Sequence, residues 1–333
     1  MQTENRTALI IGITGSIGRE LSGALLRRGW QVRALHRDPG AAAATFPNSV
    51  QWVKGDAMRS SDVIEAAHGT ALIVHAANPP KYRNWRGLAL PMLDNTIAAA
   101  KTSKARVLLP ATIYNFGADA PRVLKESSPQ VPTTRKGQVR VEMEVQLQKA
   151  SLYGVRSIVV RAGDFFGPGA GNSWLTQGMI RTPARVRSVF YPGPPDVGHS
   201  WAYLPDLAET MVRLVECGHP MRDYEVFHFR GHWLERGVQI AEEVCRARGI
   251  SSRRIKQFPW WAIKLASPFV DVCHEMLEMR YLWQVPLQLD NSKLRALIGT
   301  ESHTPIEAAL AATLDHRPGA MGHESGMAAR LGR

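Results

Sequence analysis

Cysteine is scarce in this chain: among 333 residues there are three, Cys217, Cys245 and Cys273, and none forms a Cys-x-x-Cys pair. That excludes a disulfide framework and a cysteine-rich metal centre, and it suits a reducing compartment. Long apolar runs are missing too. No stretch approaches the roughly 20 residues that a membrane-spanning helix needs. The apolar segment 258–270 is shorter and is interrupted by Lys264, so a buried or lid helix is expected there. A strand-like run starts close to Met1, which leaves no room for a signal peptide; a cytoplasmic protein without a membrane partner is expected. His274-Glu275 lacks the second histidine of a zinc-protease helix, and no metal site is expected. Ser157 and Ser173 stand in no nucleophile-elbow context.

Acidic residues are in deficit, with Asp plus Glu at 29 against Lys plus Arg at 41, a formal charge of +12. The excess is scattered, in short clusters such as Arg27-Arg28, Arg185/Arg187 and Arg253-Arg254. No zinc-finger spacing, long basic run or heptad pattern accompanies it, so a nucleic-acid partner is not expected. An anionic small ligand accounts for part of the surplus.

What is present is a chain that is 44% hydrophobic, long enough for one large α/β core or two smaller ones. Short β-rich runs at 8–11, 31–35, 50–53, 71–75, 106–109 and 157–160 alternate with helical patterns at 17–28, 61–68, within 88–101, and 138–152. Such alternation predicts a parallel sheet covered on both faces, a doubly wound Rossmann arrangement in the α/β class. After residue 162 Gly and Pro become dense and tryptophans accumulate. The expected organisation is a dinucleotide-binding domain over 5–162 and a smaller carboxyl-terminal substrate lobe over 163–315. Stretches around 201–215 and 225–229 are expected to return to the sheet, and a tail over 316–333 to be disordered.

The strongest local signal is the run Ala8-Leu-Ile-Ile-Gly12-Ile-Thr14-Gly15-Ser16-Ile17-Gly18. A strand passes through glycines spaced GxxGxxG directly into a helix. Glycine permits the tight turn and the close approach of a pyrophosphate, while the helix start supplies free N–H groups. A bare glycine triplet says little; one placed between strand and helix near an amino terminus is specific. At the end of the second strand an NAD-preferring site carries an acidic residue for the ribose 2′-hydroxyl. Here His36 and Arg37 stand there, with Arg33 nearby. A guanidinium suits a 2′-phosphate and a carboxylate repels it, so NADP(H) is expected; Asp38, one place late, keeps NAD(H) as the alternative. Asp56 after the third strand, and Ala76 and Ala77 in the His75-Ala-Ala-Asn78 run after the fourth, complete the expected cofactor contacts.

These residues resemble the extended short-chain dehydrogenase/reductases, the NAD(P)-dependent epimerase/dehydratase-like family, over about residues 7–315. Further carriers are the runs 161–168 (Arg161-Ala-Gly-Asp164-Phe-Phe-Gly-Pro168), 199–208 with Asp206, and Leu289-Asp290-Asn-Ser-Lys293. The resemblance implies an oxidoreductase acting on a small-molecule carbonyl or a nucleotide-sugar-like substrate. It also implies a Ser or Thr after the fifth strand and a Tyr-x-x-x-Lys pair opening the next helix. Thr112 matches the hydroxyl residue. The helix places Lys136 where tyrosine belongs and Arg140 where lysine belongs, and no tyrosine occurs between Tyr114 and Tyr153.

Three readings stay open. One is a reductase with a substituted acid, either Lys136, its ammonium made labile by the like charge of Arg140, or Tyr114, two residues from Thr112. Another is reduction of a conjugated C=C bond, which needs no local tyrosine acid. The third is an NADP(H) sensor without turnover. Asp164 is expected to cap a turn, with substrate contact as the alternative. The tryptophans favour an aromatic or apolar substrate, and Arg181, Arg185 and Arg187 an anionic one. A homodimer is left open.

Overall fold

The computed structural model describes residues 5–79, 84–171, 173–180 and 186–316. The tail beyond His316, and with it Arg181 and Arg185, lies outside the described residues. The amino-terminal half lays down strands β1 (Thr7–Ile11), β2 (Gln31–His36), β3 (Val50–Lys54), β4 (Leu72–His75) and β5 (Arg106–Thr112), then the two-residue β6 (Val123–Leu124). Helices α1 (Ser16–Arg27), α2 (Pro39–Ala43), α3 (Ser60–Ala66), α4 (Trp85–Ser103) and α5 (Arg135–Ser151) run between and after them. The strands and long helices fall where periodicity predicts them; α2 does not, being too short to show a repeat.

Seven strands form one parallel sheet in the order β11-β7-β5-β4-β1-β2-β3, where β7 is Ser157–Ala162 and β11 is Tyr224–His228. Every residue of β4 and β7 is buried, which is why these strands read as unbroken apolar runs. One face packs Leu21, Leu25, Leu207 and Met211 of α1 and α6 (Leu204–Glu216). The other packs Val63, Leu93, Val139 and Leu147 of α3, α4 and α5. The direction of winding reverses between β1 and β4, and the carboxyl ends of those two strands open the crevice where such sheets take ligands.

The second lobe is built from short pieces. Strands β8 (Asp164–Phe166), β10 (His199–Tyr203) and β12 (His232–Leu234) make a three-stranded sheet. Strand β9 (Val189–Tyr191) pairs with β13 (Ile255–Gln257), and β14 (Gln288–Leu289) with β6. Helices α7 (Gln239–Ala247), α8 (Trp260–Ala266), α9 (Asp271–Glu278) and α11 (Ile306–Asp315) complete it, while α10 (Ser292–Ile298) returns to the large sheet and packs Leu294 against its core. Of the stretches expected to rejoin the main sheet, 225–229 does so as β11. The 201–215 stretch instead gives β10, in the small sheet, and α6, against α1.

Four of the tryptophans build this lobe's core: Trp201 and Trp283 are fully buried and meet edge-on, Trp174 packs edge-on against Trp283 and Phe258, and Trp260 lies tilted against Trp174. They furnish packing, so the aromatic-substrate expectation loses its basis. The 258–270 segment is likewise not simply buried. Phe258 and Trp260 face inward, whereas Trp261, Leu265, Phe269 and Val270 are exposed. No helix among the described residues is long and apolar enough to cross a membrane.

Candidate functional site

The crevice starts with β1 and the turn behind it. Gly12 adopts φ +93°, and a Cβ there would stand 2.6 Å from the Ala76 backbone. At Gly18 a Cβ would come within 2.2 Å of the Gly12 carbonyl oxygen. Only glycine lets the turn fold this tightly against α1 and β4. Gly15 N–H donates to the Gly12 carbonyl at 3.1 Å, closing the turn. Gly15 is the residue before α1 and offers no side-chain cap, so the first N–H groups of the helix, at Ser16, Ile17 and Gly18, are left for an anion. Thr14 is exposed in the same turn, and the Ser16 hydroxyl reaches across to the Gly169 carbonyl at 3.2 Å, tying the loop to the second lobe.

At the end of β2, His36 is tied to Asp38: its Nδ1 lies 2.7 Å from the Asp38 carbonyl oxygen and 3.1 Å from the Asp38 nitrogen. The Asp38 carboxylate accepts from Ala41 N–H at 3.3 Å, capping α2. Arg37 is exposed between them. Arg33 does not join it. Its guanidinium donates to the Ala66 and His68 carbonyls at 2.7 and 2.8 Å, where it ties β2 to the end of α3. Asp56 accepts from Met58 N–H at 3.0 Å, a local turn at the carboxyl end of β3.

Beyond the loop a small cavity is lined by Ile17, His75, Ala76, Thr112, Arg140 and Phe165; Ala77 and Asn78 border it too. It brings the glycine loop's helix, the β4 end, the β5 end and α5 together. Two buried nitrogens at this cavity have no hydrogen-bond partner, His75 Nε2 and Arg140 Nε. His75 donates or accepts through Nδ1 to Thr96 Oγ1 at 2.8 Å, and burial, seconded by Arg140, pushes its pKa down to about 3. Arg140 donates to Asn78 Oδ1 at 3.0 Å and lies 4.9 Å over the Trp85 ring. A dinucleotide's central portion and ribose fit this set: a close-approach turn, open helix N–H groups and, beyond them, one unspent donor at Arg140 Nε and one unpartnered ring nitrogen at His75. A wider open groove, bounded by Arg230, His232, Arg295, Glu301 and His303, contains none of the expected residues.

A model of the NAD dependent epimerase/dehydratase family matches residues 8–227. The chain belongs to that family. It is 31% identical over 179 residues to a 3-diazoavenalumate denitrifying reductase of a Streptomyces species, an alignment over 49% of this chain and 57% of that protein. The chain thus matches little more than half the length of this curated relative. Among solved structures it resembles a UDP-glucuronic acid 4-epimerase from Bacillus cereus in complex with UDP-glucuronic acid and NAD. That match has 14% identity and a TM-score of 0.73, covering 93% of this chain and 98% of that one. It also resembles a UDP-glucose 4-epimerase from Bifidobacterium longum in complex with NAD+ and UDP, at 16% identity and a TM-score of 0.71, covering 92% and 97%. At these identities the structures establish the shared fold.

The opening of α5 sets the other wall of the cavity. Thr134 caps the helix, its hydroxyl accepting from Gly137 N–H at 3.0 Å, and so sets the facing of Lys136 and Arg140. Arg140 enters the cavity. Lys136 is buried but turns away, its ammonium 2.8 Å from Glu275 of α9. Its pKa is lowered, and burial is the first cause; Glu275 opposes the shift, and the like charge of Arg140 counts least. The expectation that Arg140 makes Lys136 labile therefore has its cause reassigned to desolvation.

Thr112 closes β5, and its hydroxyl accepts from Tyr114 N–H at 3.4 Å. Strand alternation ends there, and residues 113–115 turn tightly, so Tyr114 does not share a strand face with Thr112. It stands instead near Arg140, whose pKa is lowered by burial, with Tyr114 and then Glu144 opposing the shift.

Two further groups hold this end of the site. Glu144 accepts from Arg161 Nε at 3.0 Å and Nη2 at 2.6 Å, and from Asn115 Nδ2 at 2.8 Å, all buried. Arg161 also meets His228 Nε2 at 3.2 Å. Asp164 neither caps a turn nor opens to the cleft: it sits in β8, bonded to His199 Nε2 at 2.8 Å, and His199 stacks 4.1 Å from Trp283. Arg187 is exposed. The contacts of Glu275 with Lys136 and of Trp85 and Asn78 with Arg140 escape any sequence reading, because each reaches α5 from an element far away in the chain.

Proposed function

We propose that the chain is an NADP(H)-dependent reductase acting on a small organic acceptor. The observation that carries the reading is the continuity of one crevice, from the uncapped start of α1 at Ser16–Gly18 to the unpartnered nitrogens of His75 and Arg140 beside Thr112. When bound, the nicotinamide cofactor supplies the hydride. Around it, the α1 N–H groups hold the pyrophosphate, and Arg140 takes the place beside the ribose that lysine holds in the family pattern. The Thr112 hydroxyl faces the acceptor.

NADP(H) rather than NAD(H) is supported by the end of β2. The Asp38 carboxylate is occupied by Ala41 N–H and His36 by Asp38, while the exposed Arg37 guanidinium is the charge available to a 2′-phosphate. The curated relative's name supports reductase over sensor.

Proton supply is the part of this reading that departs from the family pattern. Lys136, held by Glu275, acts in it as a positioning residue joining α9 to α5, and Tyr114 is the phenol that interacts electrostatically with Arg140. The curated relative's name suggests a second acceptor class. Replacement of a diazonium group by hydride releases dinitrogen and forms a C–H bond without consuming a proton, so it needs no phenol at all.

The test has two stages. NADPH and NADH fluorescence titrations come first; micromolar-range NADPH binding with weaker NADH binding is expected, and no binding of either defeats the reading. A screen of aldehydes, ketones, enones and aryl diazonium salts follows. Tyr114→Phe slowing a carbonyl substrate by about a hundredfold, with Lys136→Met mainly raising KM, supports the assignment. Parent-like rates in the Tyr114 variant together with carbonyl turnover exclude Tyr114 as donor. Tight binding with no turnover across all classes transfers the protein to the sensor reading.

A further inference from the structure

Helices α8 and α9 form a hairpin with two differently finished faces. Inward, Trp260 is 7% exposed and its indole N–H donates to the Pro192 carbonyl at 2.7 Å. Outward, Trp261 is 75% exposed, Leu265 71% and Phe269 86%. Trp261 and Leu265 stand one turn apart on the outer side of α8, and Phe269 extends the stripe into the connection to α9. Val270 and Val272 are exposed beside it. Such a cluster of large apolar groups is not a scatter of single surface residues and calls for a covering.

We propose that this hairpin docks on an anionic lipid bilayer, its aromatic tip entering the interfacial region. The argument for a bilayer over a second protein surface comes from the flanking charge. Between residues 251 and 272 the chain carries exposed Arg253, Arg254, Lys256 and Lys264, with Asp271 the one acid. Trp and Phe set among Lys and Arg match the layering of a membrane boundary, where rings enter the headgroup zone and ammonium or guanidinium heads remain at the phosphates. A two-fold contact between copies on this face would bring the same basic side chains of both copies together.

The docking is peripheral, since no helix among the described residues can span a bilayer. It departs from the expectation of no membrane partner. That expectation rests on the lack of a long apolar run, which excludes spanning but says nothing about a short exposed stripe. The same hairpin also meets the opening of α5, through Glu275 to Lys136 at 2.8 Å and Glu278 to Arg135 at 3.7 Å.

The experiment sediments the full chain with vesicles of phosphatidylcholine, with and without phosphatidylglycerol. The parent protein is expected to pellet with the anionic vesicles and to be released by salt. The double variant Trp261→Ser/Phe269→Ser should lose binding by roughly tenfold or more. Lys264→Glu with Arg253→Glu should lower binding to anionic vesicles and leave the weak binding to neutral ones unchanged. Both sets change exposed side chains, and unaltered circular dichroism with unaltered NADPH titration establishes that the variants are folded. The proposal is overturned if the parent stays in solution with anionic vesicles, or if the aromatic variant pellets like the parent. It is equally overturned if light scattering finds a dimer that the aromatic variant splits, which makes the face a self-association surface.

Discussion

The two ends of the crevice are made from different materials. At the phosphate end nearly everything is backbone and local: Gly12, Gly15 and Gly18 form the turn, and α1 presents N–H groups a few residues later. At the α5 end the groups are side chains gathered from afar. Arg140 meets Asn78 and Trp85, Lys136 meets Glu275, and Glu144 meets Arg161, Asn115 and Tyr224. A site of the first kind tolerates little change at its glycines and is indifferent to distant substitutions. A site of the second kind depends on each remote partner, and its chemistry can drift when one position changes.

The largest expected effect comes from breaking the α5 end at its foundation. Glu144→Gln leaves Arg161, which is 1% exposed, as an uncompensated buried charge. The cost expected is about 3–5 kcal/mol of unfolding free energy, measured by urea denaturation. If the variant loses less than about 1 kcal/mol, the pair is not what fixes α5 against β7.

Next in size is the phosphate end. Gly18→Ala drives a methyl group into the Gly12 carbonyl, at 2.2 Å before relaxation. A strain of roughly 1–3 kcal/mol in the turn should weaken NADPH binding about five- to hundredfold. Unchanged affinity would mean that the loop does not cradle the cofactor. Arg37→Asp probes the same end more gently. It should weaken NADPH binding by about ten- to hundredfold, as expected for loss of a charge-assisted contact, and alter NADH binding much less. Equal weakening of both removes the basis for NADP(H).

The difference between the two ends also governs what could be read in advance. The strand–GxxGxxG–helix run is local, so its geometry was legible, as was the doubly wound sheet, whose strands are continuous apolar runs. Thr112, Lys136 and Arg140 could be placed on elements by spacing. Their partners could not, because no local pattern says that α9 brings Glu275 to Lys136 or that Asp164 bonds His199. The sequence places Arg37 at the end of β2 and Arg33 nearby, without saying whether Arg33 joins it. Only the packing of β2 against the end of α3 separates them, leaving Arg33 structural and Arg37 exposed.

The smallest effect concerns His75, which stands where the two ends meet. Its ring is buried, and its pKa falls from 6.5 to about 3 in the folded chain. The folded state therefore disfavours the proton that the unfolded chain accepts. The resulting stability is fully present above about 6.5 and is lost as the pH falls from there toward about 3. Between neutrality and about pH 6 the loss from this one group is about 0.7 kcal/mol. His228, lowered to about 3 by burial and Arg161, and His232, lowered to about 4 by burial and His303, add to the same slope. Substitution His75→Asn keeps an amide near the Nδ1 position that bonds Thr96 and removes the titrating group. The variant should start less stable at neutral pH, since a packed ring is lost. Its melting temperature should then fall with acid by roughly a third less than the parent's, one titrating histidine of three having gone. Parallel melting curves for parent and variant across that range would show that His75 is not held neutral by the fold. In that event its unpartnered Nε2 could not be read as a donor or acceptor kept in reserve for the cavity.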